Sequence, residues 1–259
     1  MRILCAIALL TCLLPAHAGA ITGETIIDLT YSFSSDSVYW PTAEGFKLQV
    51  DSEGMTEKGY YYKANSFEAA EHGGTHLDAP IHFSEGSAFV DEIDLRRLVA
   101  PGVLIDVSDR AAGDADYLIS IADIKSWENT NGKIPEKSIL LFRTGWGKFY
   151  PDKKRYLGTD QSGPEAVKTL HFPGLHPDAA KWLVENRSIG AVGLDTASID
   201  NGQSQYFRAH QILFAAGIPA LENVANLDLL PVKGFQIVAL PMKIKSGSGA
   251  PLRIIAILH

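Results

Sequence analysis

Cysteine is nearly absent from this chain of 259 residues: Cys5 and Cys12 are the two present, both close to the N-terminus. A disulfide framework, a thiolate nucleophile and a Cys-ligated zinc site are therefore excluded for everything beyond that leader. Basic blocks are missing as well. The formal net charge is −7, and no extended Lys/Arg block offers phosphates a surface, so neither nucleic acid nor an anionic membrane is an expected partner. No GxSxG elbow, no phosphate-cradling GxxxxGK loop and no GxGxxG after a strand occurs. Acyl-serine, phosphoryl and nicotinamide chemistry thereby lose their signatures. Repeats, low-complexity tracts and Pro/Gly/Ser linkers are lacking too. One domain over residues 19–259 is the reading, a length large enough for one full hydrophobic core and too small for two.

The leader explains its own boundary. Met1-Arg2 is followed by the apolar run Ile3 to Leu14 and then by Ala16-His17-Ala18, the positive start, hydrophobic stretch and small-residue cleavage site of a secretory signal. The run falls short of the roughly 20 residues that span a bilayer. Residues 1–18 thus read as a signal peptide, and a secreted or periplasmic location is expected. Both cysteines leave with it, so any metal must be held by nitrogen and oxygen alone.

What the chain does have is histidine and acid in concentrated form. Glu71-His-Gly-Gly-Thr-His-Leu-Asp-Ala-Pro-Ile-His-Phe83 holds His72, His76, Asp78 and His82. Imidazoles and a carboxylate form the donor set that Zn²⁺ and Mn²⁺ accept. The i, i+4 spacing of His72 and His76 suggests a zinc helix, but Gly73 and Gly74 are poor helix formers and Pro80 disfavours helical geometry at Ala79. A strand running into a glycine turn is the better expectation, and Tyr60 to Glu71 has the β-forming residues to supply it. Scattered histidines are ordinarily core or surface groups. Their density here points to a metal site.

Around this motif the pattern alternates strands and helices, which predicts a mixed α/β fold. Thr25–Thr30, Val103–Val107, Ser138–Phe142, Ile189–Leu194, Gln236–Leu240 and Leu252–Leu258 read as strands, several of them buried on both faces. Ser120-Ile-Ala-Asp123 is a capping box for a helix ending near Gly132, Pro177 opens a second helix, and Gly217 stops a third that starts near Tyr206. Residues 150–174, rich in Lys, Gly and Pro, read as a surface loop and a candidate lid. The Ser246-Gly-Ser-Gly249 segment reads as a flexible hairpin loop.

The motif over residues 71–83 resembles the signature of the cyclase family of metal-dependent hydrolases, of the kynurenine formamidase and isatin hydrolase type. The resemblance implies a β/β/α swivelling-type domain in which His72, His76 and Asp78 bind metal and His82 is the catalytic acid/base; a fourth-ligand role for His82 is the alternative, and the Pro80 break between it and Asp78 favours the catalytic one. It further implies that His210 and Glu222, twelve residues apart, complete a second metal site with Asp78 as the bridge. One or two divalent ions, Zn²⁺ or Mn²⁺, are the expected cofactor. Asp195, Ser198 and Asp200, in the run Asp195-Thr-Ala-Ser-Ile-Asp200, are similar to a second family signature that supports the active site. Trp40 and Trp146 sit on segments similar to the family's substrate loops and are candidate pocket residues, and Arg143 beside Trp146 reads as a structural partner for a loop carboxylate. His171 and His176 lack a carboxylate at ligand spacing and read as non-ligands. The tail, Asn226–Pro231 and Ser246–Arg253, is similar to the isatin branch, whereas Glu222 is similar to the formamidase pattern. A homodimer or higher homo-oligomer is implied by the family's habit.

The expected chemistry is hydrolysis of a small aryl amide, an aryl formamide or a fused lactam, by metal-activated water with a histidine proton carrier. Two rival classes stay open: a ring-forming or dehydrating lyase on the same site, and a metal-holding binding protein without turnover. Product mass separates the lyase, because hydrolysis adds one water and cyclisation removes one.

Overall fold

Short apolar strands with side chains alternating between two buried faces form the centre of the molecule. The computed structural model describes residues 25–258, and the signal-peptide reading of residues 1–18 lies outside them. In chain order the strands are β1 (Thr25–Asp28), β2 (Lys47–Met55), β3 (Tyr61–Glu68), β4 (His76–Asp78), β5 (Val99–Asp106), β6 (Leu118–Ile119), β7 (Ile139–Arg143), β8 (Gly174–Leu175), β9 (Ala191–Leu194), β10 (Ala220–Glu222), β11 (Phe235–Pro241) and β12 (Gly249–Leu258). The helices are α1 (Leu95–Leu98), α2 (Ser108–Ala111), α3 (Ile121–Asn131), α4 (Lys153–Tyr156), α5 (Pro164–Val167), α6 (Pro177–Asn186) and α7 (Arg208–Ala215).

Eight strands make the main sheet in the order β1-β12-β11-β5-β7-β9-β10-β4, and β12 pairs with β4 as well, so the sheet curls round and closes. The segment β5-β7-β9-β10 is parallel, while β1, β11, β12 and β4 join antiparallel. Parallel neighbours need crossovers, and α3, α6 and α7 supply them. Alternation then separates two cores. Leu104, Ile139, Leu141 and Ala191 point inward to meet Leu77, Ala250 and Ile254. Val103, Ile105, Leu140, Phe142 and Val192 point outward beneath Ile124, Trp127, Leu183, Leu213 and Phe214 of the helices. Burying each such Leu, Ile or Phe side chain is worth roughly 1.5–3 kcal/mol.

Local chemistry sets the helix ends as the sequence suggests. Ser120 and Asp123 close a reciprocal capping box on α3, and Gly132 ends it at φ +85°. Pro177 opens α6, where the His176 side chain accepts from the Asp178 backbone N–H.

Two expectations are corrected. The strand ahead of the histidine motif, β3, ends at Glu68 and, among the described residues, pairs with β2 alone, in a separate hairpin with both faces exposed; the motif itself is held by β4 inside the main sheet. Residues 150–174 are no open surface loop. They contain α4 and α5 and bury Tyr156, Leu157, Leu170 and Phe172 against Val38 and Trp146, while Lys153, Lys154 and Arg155 keep the segment polar outside. The count of Lys, Gly and Pro concealed a small third core.

Candidate functional site

The three residues of β4 carry the centre. Leu77 points into the inner core, so the period of two sends His76 and Asp78 together to the opposite face. β4 lies between β10 and β12, and its register sets Glu222 directly across from His76 and Gly249 across from Asp78. Ahead of β4, Gly73 (φ +159°) and Gly74 (φ +57°) form the turn, and a side chain on either would collide with the ring of Tyr39 or Phe33. The glycine turn expected from the sequence is therefore a packing requirement.

His76 is buried and its Nδ1 lies 3.0 Å from the Gly74 carbonyl, which fixes the proton on Nδ1. Its Nε2 lone pair then faces Asp78 Oδ1 at 3.1 Å and Glu222 Oε2 at 3.4 Å with no hydrogen-bond partner. From α7 comes a second imidazole turned the same way, its Nε2 within hydrogen-bond distance of Asp78. His210 Nδ1 lies 2.6 Å from Asp200 Oδ2, and its Nε2 is 3.2 Å from both Asp78 Oδ2 and Glu222 Oε1. Lone pairs facing carboxylates at these distances repel unless a proton or a cation lies between them. The pKa directions register the same demand. Burial works to lower the His76 pKa, yet the charge of Asp78, with that of Glu222 behind it, raises it to about 9. For His210 burial again lowers, and bonds to Asp200, Asp78 and Glu222 raise it well above the ordinary range. Asp78 is held well below the carboxylate range by His72 and His76 against the opposing effect of burial. Two imidazoles, one of them with an orphaned buried nitrogen, and two carboxylates fit a divalent cation with N/O ligands.

His72 completes the set from the half-exposed side, its Nδ1 2.6 Å from Asp78 Oδ1. His82 stacks on it, ring centroids 3.8 Å apart, and burial pushes the His82 pKa down to about 4. It is uncharged at neutral pH. These side chains open into a cavity of about 310 Å³ walled by Val38, Trp40, Phe83, Ala197 and Phe207, with Ser198 and Asn223 as its polar edges. Trp40 meets Phe207 edge-on at 6.0 Å, and Phe207 tilts against Phe83 at 5.3 Å. None of the lining residues is Lys or Arg.

The remaining candidates divide. Trp40 and Ser198 line the cavity. Trp146 does not: its indole N–H donates to the Tyr156 carbonyl, and the ring fills the third core, so its pocket role is withdrawn. Asp200 grips His210 and accepts the backbone N–H groups of Ala209 and His210, tying α7 to the site. Asp195 lies apart, accepting from Thr144 and Gly145 at the strand end after β7. Arg143 pairs with Asp106. His171 pairs with Asp116 on the surface and His176 caps α6, both away from the cluster. Phe83, Phe207 and Asn223 also line the cavity, with no local motif to mark Phe207 or Asn223 as wall residues. Phe207 has left-handed backbone (φ +47°), a conformation no sequence pattern announces for a bulky residue.

A closed mixed sheet that brings His, Asp and Glu donors to one apolar cavity defines a metal-dependent hydrolase type of centre. Comparison with known proteins makes the relationship specific. Residues 27–201 match the family model described as a putative cyclase. The isatin hydrolase of Roseibium aggregatum is 34% identical over 242 residues, covering 90% of this chain and 86% of the relative. A kynurenine formamidase of Bacillus cereus is 30% identical over 231 residues, covering 88% and 95%. The crystal structure of an isatin hydrolase bound to the product analogue thioisatinate superposes with TM-score 0.80 at 31% identity over 91% of this chain and 92% of that one. The chain belongs to the cyclase family. Relatives of both kinds align over most of the chain, in keeping with a tail similar to the isatin branch and a Glu222 similar to the formamidase pattern.

Proposed function

We propose that this chain hydrolyses the amide C–N bond of a small, uncharged aromatic lactam of the isatin type. Its relatives make it a hydrolase of non-peptide C–N amide bonds; the choice of substrate is our reading. One observation carries that choice. A formylated kynurenine bears an α-ammonium and an α-carboxylate, and desolvating them calls for charged partners, but the cavity wall has no Lys or Arg, and Asp78 and Glu222, its two acids, belong to the metal cluster. Trp40, Phe83 and Phe207 offer a planar neutral ring the apolar, edge-and-face contacts it prefers.

His72, His76 and Asp78 would hold one divalent ion, Zn²⁺ or Mn²⁺, and His210 and Glu222 with Asp78 a second. Bound there, such an ion polarises a carbonyl and brings the pKa of a water toward about 7. The chain's own residues do the rest. The aromatic wall orients the ring and excludes bulk water from the carbonyl. Asp200 holds His210, and the Gly74 carbonyl holds His76, each with its free nitrogen toward the carboxylates. His82, neutral and facing the same cavity, takes a proton from the attacking water and returns it to the leaving nitrogen.

The leader over residues 1–18 supports export, and the exposed apolar face of the β2–β3 hairpin, with Leu48, Val50 and Phe67, supports a homo-oligomer. The decisive assay is mass spectrometry of metal-reconstituted protein offered isatin and N-formylkynurenine side by side. The lactam should gain one water with the larger kcat/KM. Preference for the formylated amino acid would overturn the substrate choice, and loss of a water from any substrate would favour the lyase.

A further inference from the structure

The Ser-Gly-Ser-Gly segment ahead of β12 is not the slack hairpin its composition suggests. Ser246 N–H donates to Asp91 Oδ1 at 3.0 Å, Val90 N–H to the Gly247 carbonyl at 3.0 Å, and Ala79 N–H to the Ser248 carbonyl at 2.9 Å. A Cβ on Gly249 would stand 2.5 Å from His72 Cε1, and one on Gly247 would stand 2.9 Å from Glu71 Oε1. The loop is thus clamped on both sides and pressed against His72 and the residue before it.

Within that clamp Ser248 Oγ has two partners and one proton. It lies 2.7 Å from Glu71 Oε2, which also accepts the Ser248 backbone N–H at 2.9 Å, and 2.8 Å from His72 Nε2. A carboxylate cannot donate, so the hydroxyl proton goes to Glu71. The contact with His72 must then be donated by the imidazole. His72 consequently carries its proton on Nε2 and turns the Nδ1 lone pair toward Asp78 Oδ1, 2.6 Å away. His76 and His210 have the opposite arrangement, with Nδ1 spent on Gly74 O and Asp200 and Nε2 turned to the cluster.

We infer that Glu71 and Ser248 are positioning residues for the metal centre: together they lock His72 as an Nδ1 donor in a site whose other two imidazoles donate through Nε2. This rests on the reading of the cluster as a metal site. The pair lies outside the cluster, on the far side of the His72 ring, and comes from segments separated by 177 residues. Such outer partners fix ring orientation and tautomer, and losing one typically weakens metal binding about 10–100-fold.

The test uses full-length protein stripped with a chelator, and Zn²⁺ affinity is read by competition with a chromophoric chelator. Ser248→Ala removes the acceptor for His72 Nε2–H, and Glu71→Gln removes the charge that claims the serine proton. Both should bind zinc about 10–100-fold more weakly than wild type. Histidine ¹⁵N spectra of the zinc-loaded wild type should show one ligand imidazole protonated on Nε2, assigned by its loss in His72→Ala, and the others protonated on Nδ1. Wild-type affinity in both variants overturns the inference, even if the metal-free protein melts lower, because the pair would then be merely structural. An Nδ1–H tautomer at His72 overturns it as well. If wild type itself takes up no zinc or manganese, the metal reading fails and the inference falls with it, an outcome distinct from variants that match a metal-binding wild type.

Discussion

Asp195 and the pair Asp78–Glu222 are buried acids lying at or beside strand ends of the same sheet, yet they demand opposite things of their surroundings. Asp195 is surrounded by donors: Thr144 N–H at 2.8 Å, Thr144 Oγ–H at 2.6 Å and Gly145 N–H at 2.9 Å. Burial still pushes its pKa up, with these bonds working against the rise. Its lone pairs are matched, and its business is to hold the Arg143-Thr-Gly-Trp turn. Asp78 and Glu222 have few such donors. One Glu222 oxygen takes the Ile199 N–H at 2.8 Å, and the other contacts are imidazole nitrogens. A buried anion is expensive unless compensated. Where N–H groups compensate it, the result is a structural brace; where lone-pair-bearing imidazoles surround it, the vicinity calls for a cation.

The sharpest way to break that comparison is to remove the anion that three imidazoles share. Asp78→Ala should reduce activity to background and abolish metal uptake, measured by turnover and elemental analysis; full metal occupancy in this variant would place the site elsewhere. Next in size is His82→Ala, which leaves the anions and imidazoles of the cluster intact. It should retain metal and lose about 10²–10⁴-fold in kcat, the usual range for a positioned proton carrier. Near wild-type turnover would remove His82 from the reaction.

Metal withdrawal tests the cluster without mutation. Saturation at a thousand times Kd stabilises the folded state by roughly 4 kcal/mol, so a chelator should lower the melting temperature of wild type and leave that of Asp78→Ala unmoved. The same uptake at pH 7 should release protons into a weakly buffered solution, since His76, raised to about 9, is protonated until the cation displaces its proton. Uptake without proton release would contradict the lone-pair geometry. Asp195→Ala sharpens the other half of the contrast. It strands buried N–H donors, each worth about 1–3 kcal/mol, and should cost stability in denaturant titrations while metal content stays that of wild type.

A third carboxylate gives the smallest effect and a defined sign. Glu128 meets Arg187 through two bonds, one of them Arg187 Nε–H to Oε1 at 2.7 Å, and that hydrogen bonding, chiefly, holds its pKa below the ordinary 4.5. Its folded pKa is lower than its unfolded one, so the pair's contribution is present above about pH 4.5 and fades as pH falls through the folded value. Glu128→Gln should therefore lower stability modestly at pH 7 and converge on wild type at acid pH, which flattens the acid limb of the stability curve. A variant that follows the wild-type acid limb would show that the pair contributes nothing.

By itself the sequence marked the donor-rich stretch, because His72, His76, Asp78 and His82 lie within one strand and its flanks, where spacing and glycine chemistry are local. It determined equally the helix caps at Ser120 and Pro177 and the two-sided burial of β5, β7 and β9, since each depends on neighbours a few positions away. Tertiary structure alone decided the rest. Glu222 faces His76 only because β10 and β4 pair in that register, and His210 reaches Asp78 only because Asp200 anchors α7 above it. The failures have the same cause. The local step at Trp146 suggests a pocket residue, but the third core claims the ring; the composition of residues 150–174 suggests a loop, but Tyr156 and Phe172 tie it down. Ser248 belongs beside Glu71 across 177 residues. Local physics writes caps, turns and alternation into adjacent residues, whereas strand register and side-chain convergence depend on the free energy of the whole packed sheet.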